Sequence, residues 1–419
     1  MSQHVAVDNA LSPHGGKLVY RVVEDKEKAK ELAKKAKVRI PVRGQIAREC
    51  ISIAYGFFSP LEGFMGAKDV DSVVHNMTLS SGYVWSIPIV FDMSEEEIEK
   101  YGIAIGDSVL FTYKDQPLAI FDVEEMFVYD KIAMAKHVYG TDDEKHPGVK
   151  RTYDYKAKFL GGKVTLINPP VFNPPFDRFW YPPAESRMQF MKNGWTKVVA
   201  HQTRNVPHTG HEWLMKGAWF AANADAVLVS CVVGEKRKGD YIDECIVLGQ
   251  AALREYGYFR EDVHMTSMIL WDMRYAGPRE AVFHAIVRKN LGCTHHMFGR
   301  DHAGVGDYYP TYGAHEIFKG LPDLGIKSVL TKEWYYCPVC AGIVYEGFDG
   351  HKKQKQKFSG TVIRSIIQQG VKPTRLIFRP EVFDTVMMCA EKYGFGSPFV
   401  NDNYLENRNP VFTIPPMEV

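Results

Sequence analysis

The sequence predicts an α/β protein organised on a parallel sheet, with a β-rich domain before it and a small domain after it. Two observations predict the sheet. Beyond the proline-rich stretch 168–183, short apolar runs alternate with helical patterns: strands at 226–233, 263–270 and 294–298, helices at 240–256 and 278–290. βαβ units produce that alternation. Two loops rich in Gly, His, Arg and amide side chains also follow directly on strand-like runs, where ligands bind in such sheets. A third observation marks off the first domain. From Ala54 the chain is dense in Gly, Pro and aromatics, and strand-like runs at 84–91, 108–113 and 118–128 are separated by turn residues. The boundaries fall at about 1–167, 168–329 and 330–419.

In chain order, residues up to about His14 read as a loose arm, and 24–37, dense in Lys, Glu and Ala, as an exposed helix. Residues 142–148 are a polar loop. The stretch 168–183 holds six prolines, too many for regular structure, and reads as a linker or a wall of the active site. Past Leu324 the texture changes again. Ser359, Gly360 and Thr361 cap a helix at 362–369 with Arg364 in its first turn, and Phe378-Arg379-Pro380-Glu381-Val382 opens the last helix. The run 351–357 is basic and reads as a solvated loop near bound phosphates.

The first of the two loops is Gln202-Thr203-Arg204-Asn205-Val206-Pro207-His208-Thr209-Gly210-His211. Val198-Val199-Ala200 before it reads as a buried strand, and 212–223 after it as a helix. Backbone N–H groups and the positive end of a helix dipole therefore meet there, which makes an anion site. His208 and His211 share one face of the first helical turn. Arg204 offers a planar fork of donors for an oxyanion. A capped turn with two satisfied histidines is the bland alternative for His-x-x-His alone. Gln-Thr-Arg-Asn at a strand's C-terminal end favours two anions held side by side. The second loop, Gly299-Arg300-Asp301-His302-Ala303-Gly304-Val305-Gly306, follows the strand ending at Phe298. Its glycines let backbone approach a phosphate, Arg300 and His302 are donors, and Asp301 can orient one of them or a metal-bound water. Cys337-Pro338-Val339-Cys340 is the usual first half of a zinc site. His351 follows, but no third cysteine lies nearby, so two free thiols in a turn are expected, with zinc the open alternative.

Composition narrows the function classes. The formal net charge of +1 asks for neither nucleic acid nor a membrane surface. No charged-then-apolar leader stands at Met1, and no apolar run is long enough to cross a bilayer. Seven scattered cysteines without an export signal suggest reduced thiols in a cytoplasm.

Taken together, the motifs resemble those of the ATP sulfurylase (sulfate adenylyltransferase) family. The resemblance runs through Phe58-Ser59-Pro60-Leu61-Glu62-Gly63-Phe64-Met65, Pro183-Ala184-Glu185-Ser186-Arg187, and Gln202 to Asn205 with His208 and His211. It continues in Met273-Arg274-Tyr275-Ala276-Gly277-Pro278-Arg279-Glu280-Ala281, Cys293-Thr294-His295 through Gly304, Ser359-Gly360-Thr361, and Arg379-Pro380-Glu381-Val382. It implies a PUA-like β-rich N-terminal domain, a Rossmann-like nucleotidylyltransferase domain and a small C-terminal α/β domain. The implied reaction is ATP plus sulfate giving adenosine 5′-phosphosulfate and pyrophosphate, with Mg2+ on the nucleotide and no fused adenylylsulfate kinase. Gln202, Arg204 and the Ala303 N–H would hold sulfate, and Thr203 and Asn205 would lie at the α-phosphate. His208 and His211 would contact the ATP phosphates. Gly299, Arg300, Asp301 and His302 would complete the nucleotide pocket, with a backbone contact to adenine near Thr331. Gln202 and Asn205 would also touch ATP. A homo-oligomer, first a homodimer, is implied as the assembly. Some members hold zinc with three Cys and one His near this CxxC; here Asp349 and Lys353 stand where the remaining ligands would be sought.

The chemistry agrees with the residues. Sulfate is already an anion, so its attack on the α-phosphorus needs no general base, and catalysis reduces to positioning and charge neutralisation. His208-Thr209-Gly210-His211 also resembles the HxGH signature of class I aminoacyl-tRNA synthetases, but no KMSKS-type loop accompanies it. A sugar- or pantetheine-phosphate adenylyltransferase is the rival enzyme reading. An RNA-binding module is the non-enzymatic one, and the near-neutral charge weighs against it. No GxxxxGK[ST] loop for a phosphate-binding kinase occurs in the chain.

Overall fold

The computed structural model describes residues 11–356 and 360–418. Ser359 of the expected cap and Lys357 of the basic run lie outside them. The first sheet is mixed. Arg39–Pro41 pairs parallel with Ser108–Tyr113, which continues antiparallel through Gln116–Phe127 to Lys158–Leu166; Gly63–Phe64 and Phe91–Met93 pair antiparallel with that last strand. Phe64, Phe91, Phe111 and Phe121 pack together on its inner face. The strand expected at 84–91 is replaced by an irregular buried segment, of which only Phe91 enters a strand. Pro88 within it has no N–H to give to a ladder. The strand Lys158–Leu166 was not expected. Gly161 and Gly162 interrupt its pattern because the chain crosses there at close range: a Cβ at Gly162 would lie 1.9 Å from the Asp122 carbonyl oxygen.

The second sheet has five parallel strands. Across it they run His264–Leu270, Ala226–Val233, Val198–Thr203, His295–Phe298 and Lys327–Leu330. In chain order that is 3-2-1-4-5, so the order reverses between Val198–Thr203 and His295–Phe298. Chain connections leave the sheet edge in opposite directions at that point and open a crevice at the strands' C-terminal ends. The strand Ala226–Val233 is buried along its whole length, as a strand covered on both faces must be. The helices Thr209–Ala222, Asp243–Glu255 and Pro278–Asn290 lie where the sequence placed them to within a few residues. A hairpin, Trp334–Cys337 with Gly342–Tyr345, follows the sheet. Helices Gly360–Gln368 and Pro380–Tyr393 come next, and a short helix, Asp402–Asn407, follows the one expected to be last. Thr413 and Phe412 return to pair with Val171 and Phe172 of the proline-rich stretch.

One continuous apolar core runs through all of these parts, and buried polar ties cross between them. Arg48 is ion-paired with the buried Asp272 at 2.7 Å, and Arg274 with the buried Glu49. The Arg279 guanidinium donates to the carbonyls of Val73 and Val74. Residues 11–14 are no loose arm. Buried His14 takes the Asn290 side-chain oxygen on its N–H and reaches the Val84 carbonyl at 2.7 Å, while the Leu11 carbonyl accepts from Arg187.

Candidate active site

The crevice at the strand-order reversal is a cleft of about 430 Å3. Gln202, Thr203, Arg204, Asn205, His208, His211, Gly299, Arg300, Asp301, His302 and Ala303 all line it. The two loops singled out from the sequence, about a hundred residues apart in the chain, are thus neighbours because Val198–Thr203 and His295–Phe298 are adjacent strands.

The first loop is shaped by its own side chains. The Thr203 hydroxyl donates to the Asn205 carbonyl at 3.2 Å and accepts the Asn205 N–H at 3.1 Å. That hydroxyl closes the turn, so Thr203 sets the loop's shape. Gln250 donates to the same carbonyl, and Arg364 donates to the Asn205 side-chain oxygen at 3.3 Å. His208 is the N-cap of the helix Thr209–Ala222. Its Nδ1 accepts from the His211 N–H at 3.3 Å, and Nδ1 of His211 accepts from the His208 N–H at 3.5 Å. The rings stack with centroids 3.8 Å apart. With Nδ1 accepting in both, the ring proton sits on Nε2. Burial lowers both pKa values, that of His211 to about 4 and that of His208 well below the ordinary value, the latter helped by the neighbouring rings. The pair is therefore neutral before an anion arrives, and each ring carries one Nε2–H donor. Behind them Glu212, fully buried, accepts two bonds from Arg379 at 2.7 and 2.9 Å and one from Lys216. Thr209 donates to the carbonyls of Leu376 and Ile377. These bonds seat the C-terminal part against the loop.

Arg204 donates from NH1 to the Tyr275 hydroxyl at 2.5 Å, with its guanidinium carbon 4.7 Å from the Tyr275 ring centroid. Among the described residues it forms no ion pair with a carboxylate, so its charge faces the cleft. Tyr275 sits at φ +59°, a left-handed conformation that L-residues avoid at a cost of about 1–2 kcal/mol. The buried Glu280 holds that turn by accepting from Trp271 Nε1 and from the backbone N–H groups of Arg274 and Ala276. In the second loop Asp301 and Ala303 are likewise left-handed, at φ +52° and +57°. The Ala303 carbonyl accepts from the Gly277 N–H, and its own N–H has no protein partner among the described residues. Burial raises the Asp301 pKa, against the pull of Arg300 and Arg204.

Thr331 does not line the cleft. Its N–H and its hydroxyl both bond to the Phe298 carbonyl, at 3.0 and 3.2 Å. The residues that do line it beyond the fifth strand are Lys332, Glu333 and Trp334. Trp334 stacks on Trp213, and Gly217 leaves room for it, since a Cβ there would lie 2.7 Å from the indole. The sequence signal for this wall was the aromatic run Trp334-Tyr335-Tyr336 directly after a strand.

The hairpin that carries Trp334 also carries the CxxC turn. Cys337, Cys340, Asp349 and His351 bring four ligand atoms within 4.8 Å of one another. Cys340 Sγ lies 3.3 Å from His351 Nδ1 and 3.7 Å from Asp349 Oδ1, and those two are 3.3 Å apart. A tetrahedral zinc with bonds of about 2.3 Å to sulfur and about 2.0–2.1 Å to nitrogen and oxygen puts its ligands roughly 3.3–3.8 Å from one another. The residues fit that ion, with Asp349 where a third cysteine was sought, and Tyr335 donates to its second oxygen at 2.7 Å. Two bare thiols were expected from the sequence; the fold brings Asp349 and His351 up to them.

A family model described as ATP-sulfurylase matches residues 177–388, and one described as a PUA-like domain matches 11–169. The chain is 40% identical to a sulfate adenylyltransferase of Archaeoglobus fulgidus, over 97% of this chain and 98% of the relative. It is 42% identical to one of Ignicoccus hospitalis and 39% identical to one of Pyrococcus abyssi, each over 93% of this chain and 99% of the relative. A solved structure titled hexameric APS kinase from Thiobacillus denitrificans superposes with a TM-score of 0.71 at 21% identity, over 90% of this chain and 68% of that one. At that identity the superposition speaks for the fold.

Proposed function

The chain belongs to the ATP-sulfurylase family, and from that premise we infer how it carries out the sulfate adenylyltransferase reaction, ATP plus sulfate giving adenosine 5′-phosphosulfate and pyrophosphate. One observation carries the assignment of roles. Two donor-rich loops meet at the strand-order reversal around one cleft, and the Arg204 guanidinium there has no carboxylate partner among the described residues.

Arg204, Gln202 and the Ala303 N–H are assigned to sulfate. A dianion leaves water only for several charge-assisted donors, and this set supplies them. His208 and His211 are assigned to the ATP phosphates, with Asn205 near the α-phosphate and Gly299, Arg300, Asp301 and His302 along the chain of phosphates. A sulfate oxygen attacks the α-phosphorus in line, the bond to the bridging oxygen of pyrophosphate breaks, and no proton need move. Negative charge gathers on the departing pyrophosphate. The two Nε2–H donors meet it without reorganisation, because their Nδ1 atoms are already held by backbone. Mg2+ would enter on the nucleotide, and Asp301 and Glu333 are the carboxylates that line the cleft. Adenine is assigned to the wall formed by Lys332 to Trp334. The reaction is reversible at the same site.

Zinc is assigned to Cys337, Cys340, Asp349 and His351. Its contribution is to fix the hairpin whose first strand begins at Trp334, with no part in the bond changes. All seven cysteines are unpaired, in keeping with a reducing cytoplasm. No helix among the described residues is long and apolar enough to cross a membrane. The exposed rings of Phe220 and Phe348 favour self-association, a homodimer as the simplest case.

Pyrophosphate release from MgATP, measured with and without sulfate, tests this reading. Release that depends on sulfate supports it; release that ignores sulfate but follows a sugar phosphate or phosphopantetheine would replace it with another adenylyltransferase.

A further inference from the structure

Behind the sulfate side of the cleft lies a chain of buried polar groups that the reaction as described leaves without a role. His284, in the helix Pro278–Asn290, is fully buried. Its Nε2 is 2.9 Å from a terminal atom of the Gln202 carboxamide and 3.6 Å from Oε1 of Glu280, and its Nδ1 is 3.0 Å from Nε2 of His302. That same Gln202 atom is 3.6 Å from the Met273 sulfur; the other terminal atom is buried without a partner among the described residues, and Gln202 lines the cleft.

The two ends of a carboxamide have the same shape, so their identity follows from their partners. Burial lowers the His284 pKa to about 4, so near neutral pH the ring is neutral and carries one N–H. On its Nε2 side stands Glu280. Burial pushes that carboxyl up, but the bonds from His284, Trp271 and backbone outweigh it, and it remains a carboxylate. On the Nδ1 side stands only another imidazole nitrogen. The carboxylate draws the proton to Nε2, and Nδ1 then accepts the N–H of His302. An N–H at Nε2 needs an acceptor 2.9 Å away, so the Gln202 atom there is the oxygen and the NH2 group is the end without a partner among the described residues. The opposite placement would strip the proton from the side facing the carboxylate.

We propose that His284 is a positioning and specificity-determining residue that holds the Gln202 carboxamide with its NH2 group aimed at sulfate, so that Gln202 can only donate. The proposal rests on the assignment of Gln202 to sulfate. Sulfate carries no proton near neutral pH and accepts at every oxygen. Hydrogen phosphate has the same charge and nearly the same size, but its P–O–H needs an acceptor, and a fixed NH2 denies it one. Glu280 through His284 therefore helps the cleft tell two tetrahedral dianions apart.

The test uses the full chain and three measurements. Long-range 1H–15N correlations on wild-type protein, with the ring assigned by its contacts to His302, read the tautomer directly, and Nε2–H is expected. Steady-state kinetics then compare His284→Gln, whose amide nitrogen can occupy the place of ring Nε2, with His284→Asn, which reaches only the Nδ1 position. The Asn variant is expected to raise KM for sulfate about tenfold, the equivalent of about 1.4 kcal/mol, with KM for MgATP unchanged. Inhibition by inorganic phosphate should stay the same or tighten. The Gln variant should recover most of the loss. A proton on Nδ1, or Asn and Gln variants that behave alike towards sulfate and phosphate, overturns the proposal. If neither variant folds, the wild-type tautomer decides. Gln202→Leu separates the two layers: a normal KM for sulfate there removes Gln202 from the subsite, while a wrong tautomer refutes the role of His284 alone.

Discussion

Replacing Arg204 by lysine keeps the charge at the sulfate subsite and removes the fork. The guanidinium gives one N–H to the Tyr275 hydroxyl at 2.5 Å and lies over that ring at 4.7 Å, which fixes its plane and leaves its other donors for a ligand. Lysine can place one ammonium near one oxygen, so one of two parallel charge-assisted bonds is lost, about 1.5–3 kcal/mol. The stacking on Tyr275 adds about 0.5–1 kcal/mol. The sum, about 2–4 kcal/mol, corresponds to roughly 30- to 1,000-fold in kcat/KM for sulfate. ATP affinity should change little, because the histidines and the second loop remain. Calorimetry of ATP binding and sulfate-dependent pyrophosphate release measure the two sides separately. An unchanged apparent sulfate affinity in Arg204→Lys, with collapsed ATP affinity or a much lower melting temperature, would refute the assignment and make Arg204 a structural residue of the loop.

His208→Ala or His211→Ala should lower turnover by about a hundredfold or more, the cost of one preorganised donor, with the fold intact by circular dichroism; near-wild-type turnover in the folded double variant would remove both from catalysis. Elemental analysis of protein purified without chelator should find close to one zinc per chain, and Cys340→Ser should lose it together with several degrees of melting temperature; a metal-free protein of unchanged stability sinks the zinc assignment. Acid should destabilise the fold. Burial lowers the pKa values of His201 and His264 to about 3 and those of His14, His211 and His284 to about 4, against about 6.5 in the unfolded chain. Below that value the unfolded state takes up protons that the native state refuses, so stability is complete above about pH 6.5 and falls with each step down, by about 1.4 kcal/mol per pH unit for each such group. Urea midpoints that stay level from pH 7 to pH 5 would show that these rings open to water.

What could be read from the sequence, and what could not, divides along a physical line. Four strands of the catalytic sheet and its helices were legible as apolar runs bounded by turn residues, whereas the fifth, the edge strand Lys327–Leu330, is not buried and was not expected. The order of the strands left no local trace. Only pairing across the sheet sets Val198–Thr203 beside His295–Phe298, and that adjacency turns two suggestive loops into one cleft. Misreadings came where a local signal served a distant contact. Gly161 and Gly162 look like a break because neighbouring backbone passes too close for a side chain, and His14 looks like part of a tail although Asn290 and Val84 hold it. Asp349 and His351 follow Cys340 by 9 and 11 positions, and only the folded hairpin brings them onto its sulfur. His284 is the clearest case. Between Phe283 and Ala285 in a helix it reads as a core residue, and it is one, buried without exposure. What sets it apart is the Glu280 carboxylate and the Gln202 amide, both at its Nε2, contributed by residues 4 and 82 positions away. A motif can thus name the groups that touch a substrate, because they cluster in a loop. The residues that decide which way those groups point are drawn from the core, where the pattern of apolar spacing conceals them.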